Sequence, residues 1–430
     1  MTTLSDRLRG VIRPVSRRGA SSDAPGNVGS EDPTLRDAIA DVLDGQWHER
    51  DGQRFLVVDR TYVPGYRHGS MCLADGLPPA DGIWPRLSLL GGPPSPRRGF
   101  GAPGAPSDLL FIDLETTGLA GGAGTYAFLV GCAWFDGGRF RIRQFFLSSF
   151  TAERALLEAV GEVADSAGTV VSYNGKSFDL PLIETRFVLH RLETPFAGMP
   201  HIDMLHPARR MWRGVDAACR LSTLEESLCG YVREGDVAGF EIPARYFHYV
   251  HAGDARPLAA VFEHNRLDLL SLALVTAHAA QLLDEGAAGA RTAREALGMG
   301  RLYERGGMMP DAKSCFARAT ELEEDDEDVI AEALRAYAIV SRRLRQYDDA
   351  AAAWRRVLGL PVCPRPIVRE ASEALAVHLE HRRRDLRSAR DFAVRLLGVD
   401  ESVTRRQAAE YRLARLDRKM ACRAQQTALF

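Results

Sequence analysis

The feature that most restricts the fold is a change in hydrophobic period along the chain. Residues 109–115 alternate and run apolar as a strand does, and residues 127–135 and 139–147 repeat the pattern on either side of the turn Asp136-Gly137-Gly138. Helical spacing follows over 152–164, a short buried strand over 169–173, a helix over 180–192, a strand over 201–204 and a helix over 221–228. The spacing then predicts a long amphipathic helix over 258–283, with Phe262, Leu269, Leu270, Ala273 and Leu274 facing inward. Three strands, helix, strand, helix, strand, helix define an α/β domain with a mixed sheet flanked by helices.

After Gly286 the period becomes helical throughout, and short motifs recur. Gly300, Tyr303, Gly307, Ala312, Phe316 and Ala319 fit the small and large positions of a tetratricopeptide-like repeat. Ala350, Trp354 and Val357 echo that spacing, and Ala389, Ala393 and Leu396 do so loosely. The expected organisation is therefore residues 1–106 as an N-terminal arm, small β-rich segment and linker, 107–286 as the α/β domain, and 287–430 as an all-α tetratricopeptide-like repeat domain. The β-rich segment is signalled by Arg54-Phe55-Leu56-Val57-Val58 just after Asp51-Gly52, a pair suited to a tight turn. Residues 20–33 and 91–106 are rich in Pro, Gly or Ser and read as arm and linker. The acidic run 323–328 reads as solvated charge ahead of a helix, where it suits the helix dipole.

At 430 residues, 46% hydrophobic and 26% charged, the chain has enough apolar material for two to three cores. No stretch reads as apolar enough to cross a bilayer, and residues 1–19 lack the apolar core of a secretory signal; the expected location is the cytoplasm. The 7 cysteines are scattered without a C-x-x-C pair, which points to reduced, mostly buried thiols. A formal net charge of −2 removes whole-protein basicity as an argument for nucleic acid, so any such binding must use a local basic patch.

Chemistry concentrates in three places. In Phe111-Ile112-Asp113-Leu114-Glu115-Thr116-Thr117-Gly118 two carboxylates two residues apart on a strand share one face. A hard divalent cation such as magnesium or manganese would offset their repulsion, whereas two solvated acids at a strand end would need none. Tyr173-Asn174-Gly175-Lys176-Ser177-Phe178-Asp179 leads from a strand into a helix. There Asp179 serves either as a helix cap or in a metal's water shell, with Asn174 and Lys176 near a phosphate backbone or merely in a turn. In His264-Asn265-Arg266-Leu267-Asp268, a histidine and an aspartate stand four apart on one helix face, as a surface pair or as proton acceptor and metal ligand.

In order and spacing these segments resemble the three-motif DEDD exonuclease superfamily, and more closely the YprB-like ribonuclease H-like proteins. The resemblance covers about 108–283 and includes the segments at 113–125, 172–179, 201–210 (H-I-D-M-L-H-P-A-R-R), 221–225 (L-S-T-L-E) and 264–268. It implies a ribonuclease H-like fold and two-metal hydrolysis of phosphodiester bonds at a DNA or RNA 3′ end, with two Mg²⁺ or Mn²⁺ ions. By the same resemblance, Asp113, Glu115, Asp179 and Asp268 are the metal ligands, Asp113 bridging the ions, and His264 is the general base. Thr116, Thr117, Gly118, Leu119, Asn174, Lys176 and Phe178 would contact the terminal nucleotide, and the helical repeats would bind a protein partner. One departure stands out: superfamily members carry Tyr four residues before the last Asp or His five before it, whereas here a His takes the tyrosine spacing.

Two other readings are open at this point. His201, Asp203 and His206 could ligate a single metal in a different class of hydrolase. Alternatively, the chain is a non-catalytic nucleic-acid-binding scaffold whose repeats hold a protein.

Overall fold

The computed structural model describes residues 33–76, 86–91, 109–118, 124–213, 218–323, 326–399 and 403–427. The arm at 20–32, the linker at 92–106, Leu119 and most of the glycine-rich loop after it lie outside the described residues.

The core is a 7-stranded mixed sheet. A meander forms its centre: β5 (Leu109–Thr116), β6 (Ala127–Asp136) and β7 (Arg139–Phe146) pair antiparallel through the Gly137-Gly138 turn, where both glycines have positive φ. On one side β8 (Thr169–Ser172) and β9 (His201–Asp203) continue parallel to β5. On the other, β1 (Gln46–Arg50) and β2 (Gln53–Tyr62) continue antiparallel from β7, giving the order β1-β2-β7-β6-β5-β8-β9. The β-rich segment expected ahead of the α/β domain is thus two strands of the same sheet. Its Leu56, Val57 and Val58 are buried against that domain, so the segment has no core of its own. A short hairpin, β3 (Arg67–His68) and β4 (Met71–Cys72), packs nearby, and α1 (Pro33–Leu43) precedes the sheet.

Strand periodicity sorts β5 into two faces. Leu110, Ile112 and Leu114 enter a core shared with α3 (Glu153–Asp165), α4 (Asp179–Leu189) and α7 (Ile242–Ala252). Leu109 and Phe111 enter the other core, and Asp113 and Glu115 continue that second row as the strand leaves it. The second face is covered by α8 (Ala259–Glu285), the long helix expected over 258–283. By length and composition the helical stretch Arg256–Ala288 does qualify as bilayer-spanning, contrary to the sequence reading, but 78% of its apolar window is buried in protein. It is apolar on several sides because it is enclosed between the sheet and further helices. Two smaller differences concern 221–228, which is α6 (Leu221–Leu224) closed by a wide turn Glu225–Cys229, and α7, which the sequence pattern did not suggest.

The helical region begins with α9 (Ala293–Arg305), α10 (Met309–Ala319) and α11 (Glu327–Arg343) and runs on through α12 (Tyr347–Leu358), α13 (Arg365–His378), α14 (Leu386–Val399) and α15 (Val403–Thr427). Its first three helices are built into the same apolar core as the sheet, because Leu302, Tyr303, Phe316 and Val340 join Phe111, Val171 and Leu270 in one cluster. Helix α9 lies directly on α5 (Leu205–Met211): a Cβ at Gly298 would collide with the Arg210 carbonyl, and Trp212 Nε1 donates to Glu295 Oε1 at 2.9 Å. Short α2 (Ser88–Gly91) wedges in beside them, with Arg86 donating to the Leu283 carbonyl at 2.9 Å and to Asp311 Oδ1 at 3.1 Å. Burying a large apolar side chain contributes about 1.5–3 kcal/mol. A chain ended after Asp284 would uncover several at once. It is expected to aggregate under conditions in which the full chain stays monodisperse by light scattering. A soluble, cooperatively unfolding 284-residue fragment would show that α9 to α11 are not needed to close the core.

Candidate active site

The site begins with a row across the sheet. Asp113 on β5 faces Gly131 on β6, which faces Gln144 on β7. Helix α8 crosses above this row at Asn265, which is fully buried. Asn265 Nδ2 donates to Asp113 Oδ2 at 2.7 Å and to the Asp113 carbonyl at 3.1 Å, and its Oδ1 accepts from Gln144 Nε2 at 2.9 Å. A side chain at Gly131 would run into Asn265 and into Leu269 Cδ1 at 2.8 Å, so the glycine is what lets the helix approach. One turn on from His264, Asp268 comes down on the same edge as Asp113 and Glu115.

The second acid motif joins from β8. Asn174 adopts a left-handed φ of 66°, and the turn it begins is stapled by the buried carboxylate of Asp203. That carboxylate accepts from Asn174 N at 2.7 Å, Lys176 N at 3.0 Å and Leu205 N at 3.1 Å. With both oxygens committed to backbone amides, Asp203 is a brace for the turn, and His201 is likewise engaged, its Nε2 2.7 Å from Ser172 Oγ. Burial and the neighbouring Lys176 lower His201 to about 4, so its imidazole is neutral. The single-metal reading of His201, Asp203 and His206 loses its central ligand. Asp179 is the first residue of α4, and the N-cap position that the sequence left open to it is taken by Phe178.

Asp113, Glu115, Asp179 and Asp268 therefore share one edge, close enough to repel. Burial, then Asp268 and Asp179, push Asp113 well above the usual carboxylate range; burial, then Asp113, Asp268 and Asp179, do the same to Glu115. Asp179 is pushed to about 7 by burial, then Asp203 and Asp268. Among the described residues no three His, Cys, Asp or Glu side chains already stand in ligating geometry. The donor set nevertheless has the chemistry of a magnesium or manganese site: hard oxygens, an excess of negative charge, and burial that a cation would offset.

Cations of the protein supply part of the balance, and these the sequence reading missed. Arg233 donates to Asp268 Oδ1 at 2.5 Å, Glu225 Oε2 at 2.5 Å and Asp236 Oδ2 at 3.1 Å. Asp236 Oδ1 in turn lies 2.7 Å from His264 Nδ1, and His264 Nε2 lies 3.6 Å from Asp268 Oδ2. Burial pulls the His264 imidazole down, but Asp268 and Asp236 more than reverse it, so its affinity for a proton is raised. Glu225 is fully buried and also meets His68 Nε2 at 2.6 Å and the Ser271 hydroxyl, tying the β3–β4 hairpin to the site. No motif signals Arg233 or Asp236, which stand 35 and 28 residues from their partners. Asn265 carried a signal in retrospect, as an amide in the middle of an apolar helix.

The expected substrate contacts divide. Thr117 and Thr116 are used by the loop itself, Thr117 Oγ1 accepting from Tyr126 N at 3.0 Å and Thr116 Oγ1 donating to the Gly118 carbonyl at 3.0 Å. Asn174 is engaged through its backbone with Asp203, while Lys176 is exposed and Phe178, 57% exposed, stands out beside Asp179.

Residues 110–280 match the family model described as the RNase_H superfamily, a span that contains every acid of the cluster together with His264, Asn265 and Arg233. A domain of this ribonuclease H-like, nuclease type suggests nucleic-acid processing. Over 318 residues, 73% of this chain and 75% of the other, the sequence is 29% identical to the protein YprB of Bacillus subtilis (strain 168). Residues 110–280 thus carry a ribonuclease H-superfamily domain, and the chain as a whole is similar to YprB, with a mixed sheet and flanking helices followed by an all-helical region.

Breaking a buried ion pair by removing one partner costs about 3–5 kcal/mol, because the other charge is left buried, whereas an exposed pair is worth about 0–1 kcal/mol. Arg233→Ala is accordingly expected to lower the urea midpoint sharply, while Arg143→Ala, which breaks the more exposed pair with Asp59 at 2.6 Å, should hardly move it. Equal midpoints for the two variants would remove Arg233 from the structural account of the site.

Proposed function

We propose that this chain is a divalent-metal-dependent 3′→5′ exonuclease acting on DNA or RNA. The observation that carries the reading is the convergence of Asp113, Glu115, Asp179 and Asp268 from β5, α4 and α8 on one edge, with His264 beside Asp268. In this reading Asp113, Glu115, Asp179 and Asp268 would hold two Mg²⁺ or Mn²⁺ ions. The ions supply Lewis-acid stabilisation of the charge that develops on the phosphate. Asn265 fixes the carboxylate of Asp113, and Arg233 fixes that of Asp268, so neither has to be ordered when substrate arrives. His264, oriented through Nδ1 by Asp236, presents Nε2 toward Asp268 and accepts the proton of the attacking water. Exposed Phe178 offers a face on which the terminal base stacks. The helical region beyond α11 is assigned a protein partner, and the cytoplasm is the proposed setting.

End-labelled DNA and RNA oligonucleotides incubated with manganese are expected to shorten one nucleotide at a time from the 3′ end, and not at all with chelator. Asp113→Asn should lower that rate at least about a hundredfold with the fold retained. Binding without cleavage in the presence of manganese would favour the scaffold reading instead.

His264→Ala is expected to lower turnover by roughly 10²- to 10⁴-fold while manganese affinity, measured by calorimetry, changes little. Full turnover in that variant would move the base elsewhere.

A further inference from the structure

A line of cations next to the site is not used by the chemistry above. Lys176, in the turn that leads to Asp179, reaches the Gly91 carbonyl at 3.4 Å. Arg305, at the end of α9, donates to the Leu89 carbonyl at 2.7 Å, in the same short α2 segment. Arg210 on α5 donates to the His206 carbonyl at 2.9 Å, and exposed Arg209 and Arg213 extend the line. Among the described residues none of these five forms an ion pair; the bonds they make go to neutral carbonyls. They also act against one another: burial and then Arg210 lower Arg305, and burial, together with Arg305 and against an offset from Asp203, lowers Lys176.

This is not how arginines are otherwise arranged in the neighbouring helices. Arg294 meets Asp326 at 2.7 Å, Arg301 meets Glu332 at 3.2 Å, Arg335 meets Glu370 at 2.6 Å and Arg343 meets Glu304 at 2.6 Å. Like charges gathered without ion-pair partners of their own cost folding energy, and an anionic ligand removes that cost. Between α5 and the helices α9 and α11 lies a groove of about 460 Å³. Arg209, Arg210 and Arg213 line it on the α5 side; the other side carries Arg294 and Arg301, paired with Asp326 and Glu332, together with Asp328. The groove is lined by α5, which directly follows β9, whose Asp203 braces the turn into Asp179.

We propose that Lys176, Arg305, Arg210, Arg209 and Arg213 form a track for the sugar–phosphate backbone of a single-stranded nucleic acid whose 3′ end lies at the acid cluster. Helix α9 is then part of the substrate site. Guanidinium groups suit this task because each grips a phosphate through two parallel hydrogen bonds. The track also answers how a chain with a net charge of −2 holds a polyanion: the positive charge is local. The inference deepens the exonuclease reading and rests on it.

The test uses the full chain in chelator, with fluorescein-labelled oligothymidylates of about 5 and about 20 nucleotides, titrated by anisotropy at several salt concentrations. R209E/R213E is expected to bind the longer strand at least about tenfold more weakly, with a log–log salt slope shallower by about 1.4, two contacts at about 0.7 each. The short strand, held mainly at the catalytic edge, should lose less. R209Q/R213Q should shift the same way by a smaller amount, and R387E/R405E, the same charge change on exposed residues of α14 and α15, should match wild type. Unchanged affinity and slope in both groove variants overturn the track, as does equal displacement of the strand by polyglutamate of matching charge. Wild type that binds the long strand along these arginines but never shortens it with manganese would sink the exonuclease reading and leave the track standing.

Discussion

One buried amide sets the geometry of the whole site. Asn265 sits on a helix packed against a sheet, where an unpartnered polar group would cost about 1–3 kcal/mol. It escapes that cost only by bonding Asp113 on one strand and Gln144 two strands away, across the gap that Gly131 leaves open. The helix is thereby fixed in both height and rotation over the sheet. Asp268, three residues on, and His264, the residue before, are carried to the acidic edge by the same contact. A rotation of the helix by one residue would bury a charge against Leu269's neighbours and strand the amide.

Holding so many carboxylates on one edge needs counter-charge, and the protein supplies it in layers. Arg233 is surrounded by Asp268, Glu225 and Asp236, so a single buried guanidinium neutralises part of the cluster and sets the direction of the Asp268 carboxylate. Glu225 hands the connection on to His68 in the β3–β4 hairpin, with Tyr231 stacked on the imidazole at 4.1 Å. The amino-terminal part of the chain is thus mechanically continuous with the catalytic edge. Arg266 adds a second tie, donating to Tyr62 on β2 at 2.8 Å. What a divalent cation would still offset is the repulsion among Asp113, Glu115 and Asp179, none of which has a cationic side chain bonded to it among the described contacts.

The helical region plays two physical roles. Its first helices finish a core that the sheet and α8 leave open, and the price of that dependence is that the two regions cannot move freely past one another. Because α9 lies on α5 without room for a Cβ at Gly298, Arg305 and Arg210 are held at fixed places beside the exit of β8 and β9. Rigid placement of charge is what converts a scatter of arginines into a directional surface. Farther out, Trp354, Ile367 and Leu375 form a separate cluster that reaches the sheet's core only through α11, whose Leu334 and Ala338 belong to it.

Between residues 109 and 285 the strands and most of the helices, though not α5 or α7, were legible in the sequence because period-2 and period-3.6 patterns are local, and each acid announced itself within a short motif. That Asp113 and Glu115 share a face followed from strand geometry alone, and that His264 and Asp268 do so followed from the helix. The sequence could not tell an aspartate that braces a turn from one left for chemistry: Asp203 and Asp179 look alike until three backbone amides are seen to occupy the former. Nor did it show that residues 46–62 extend the same sheet, since pairing of β2 with β7 joins residues 78 to 90 positions apart by hydrogen bonds that leave no side-chain signature. Arg233, Asp236, Gln144 and Gly131 were silent for the same reason. Their roles exist only between elements, in contacts whose energy depends on burial and direction, and burial and direction belong to the tertiary structure.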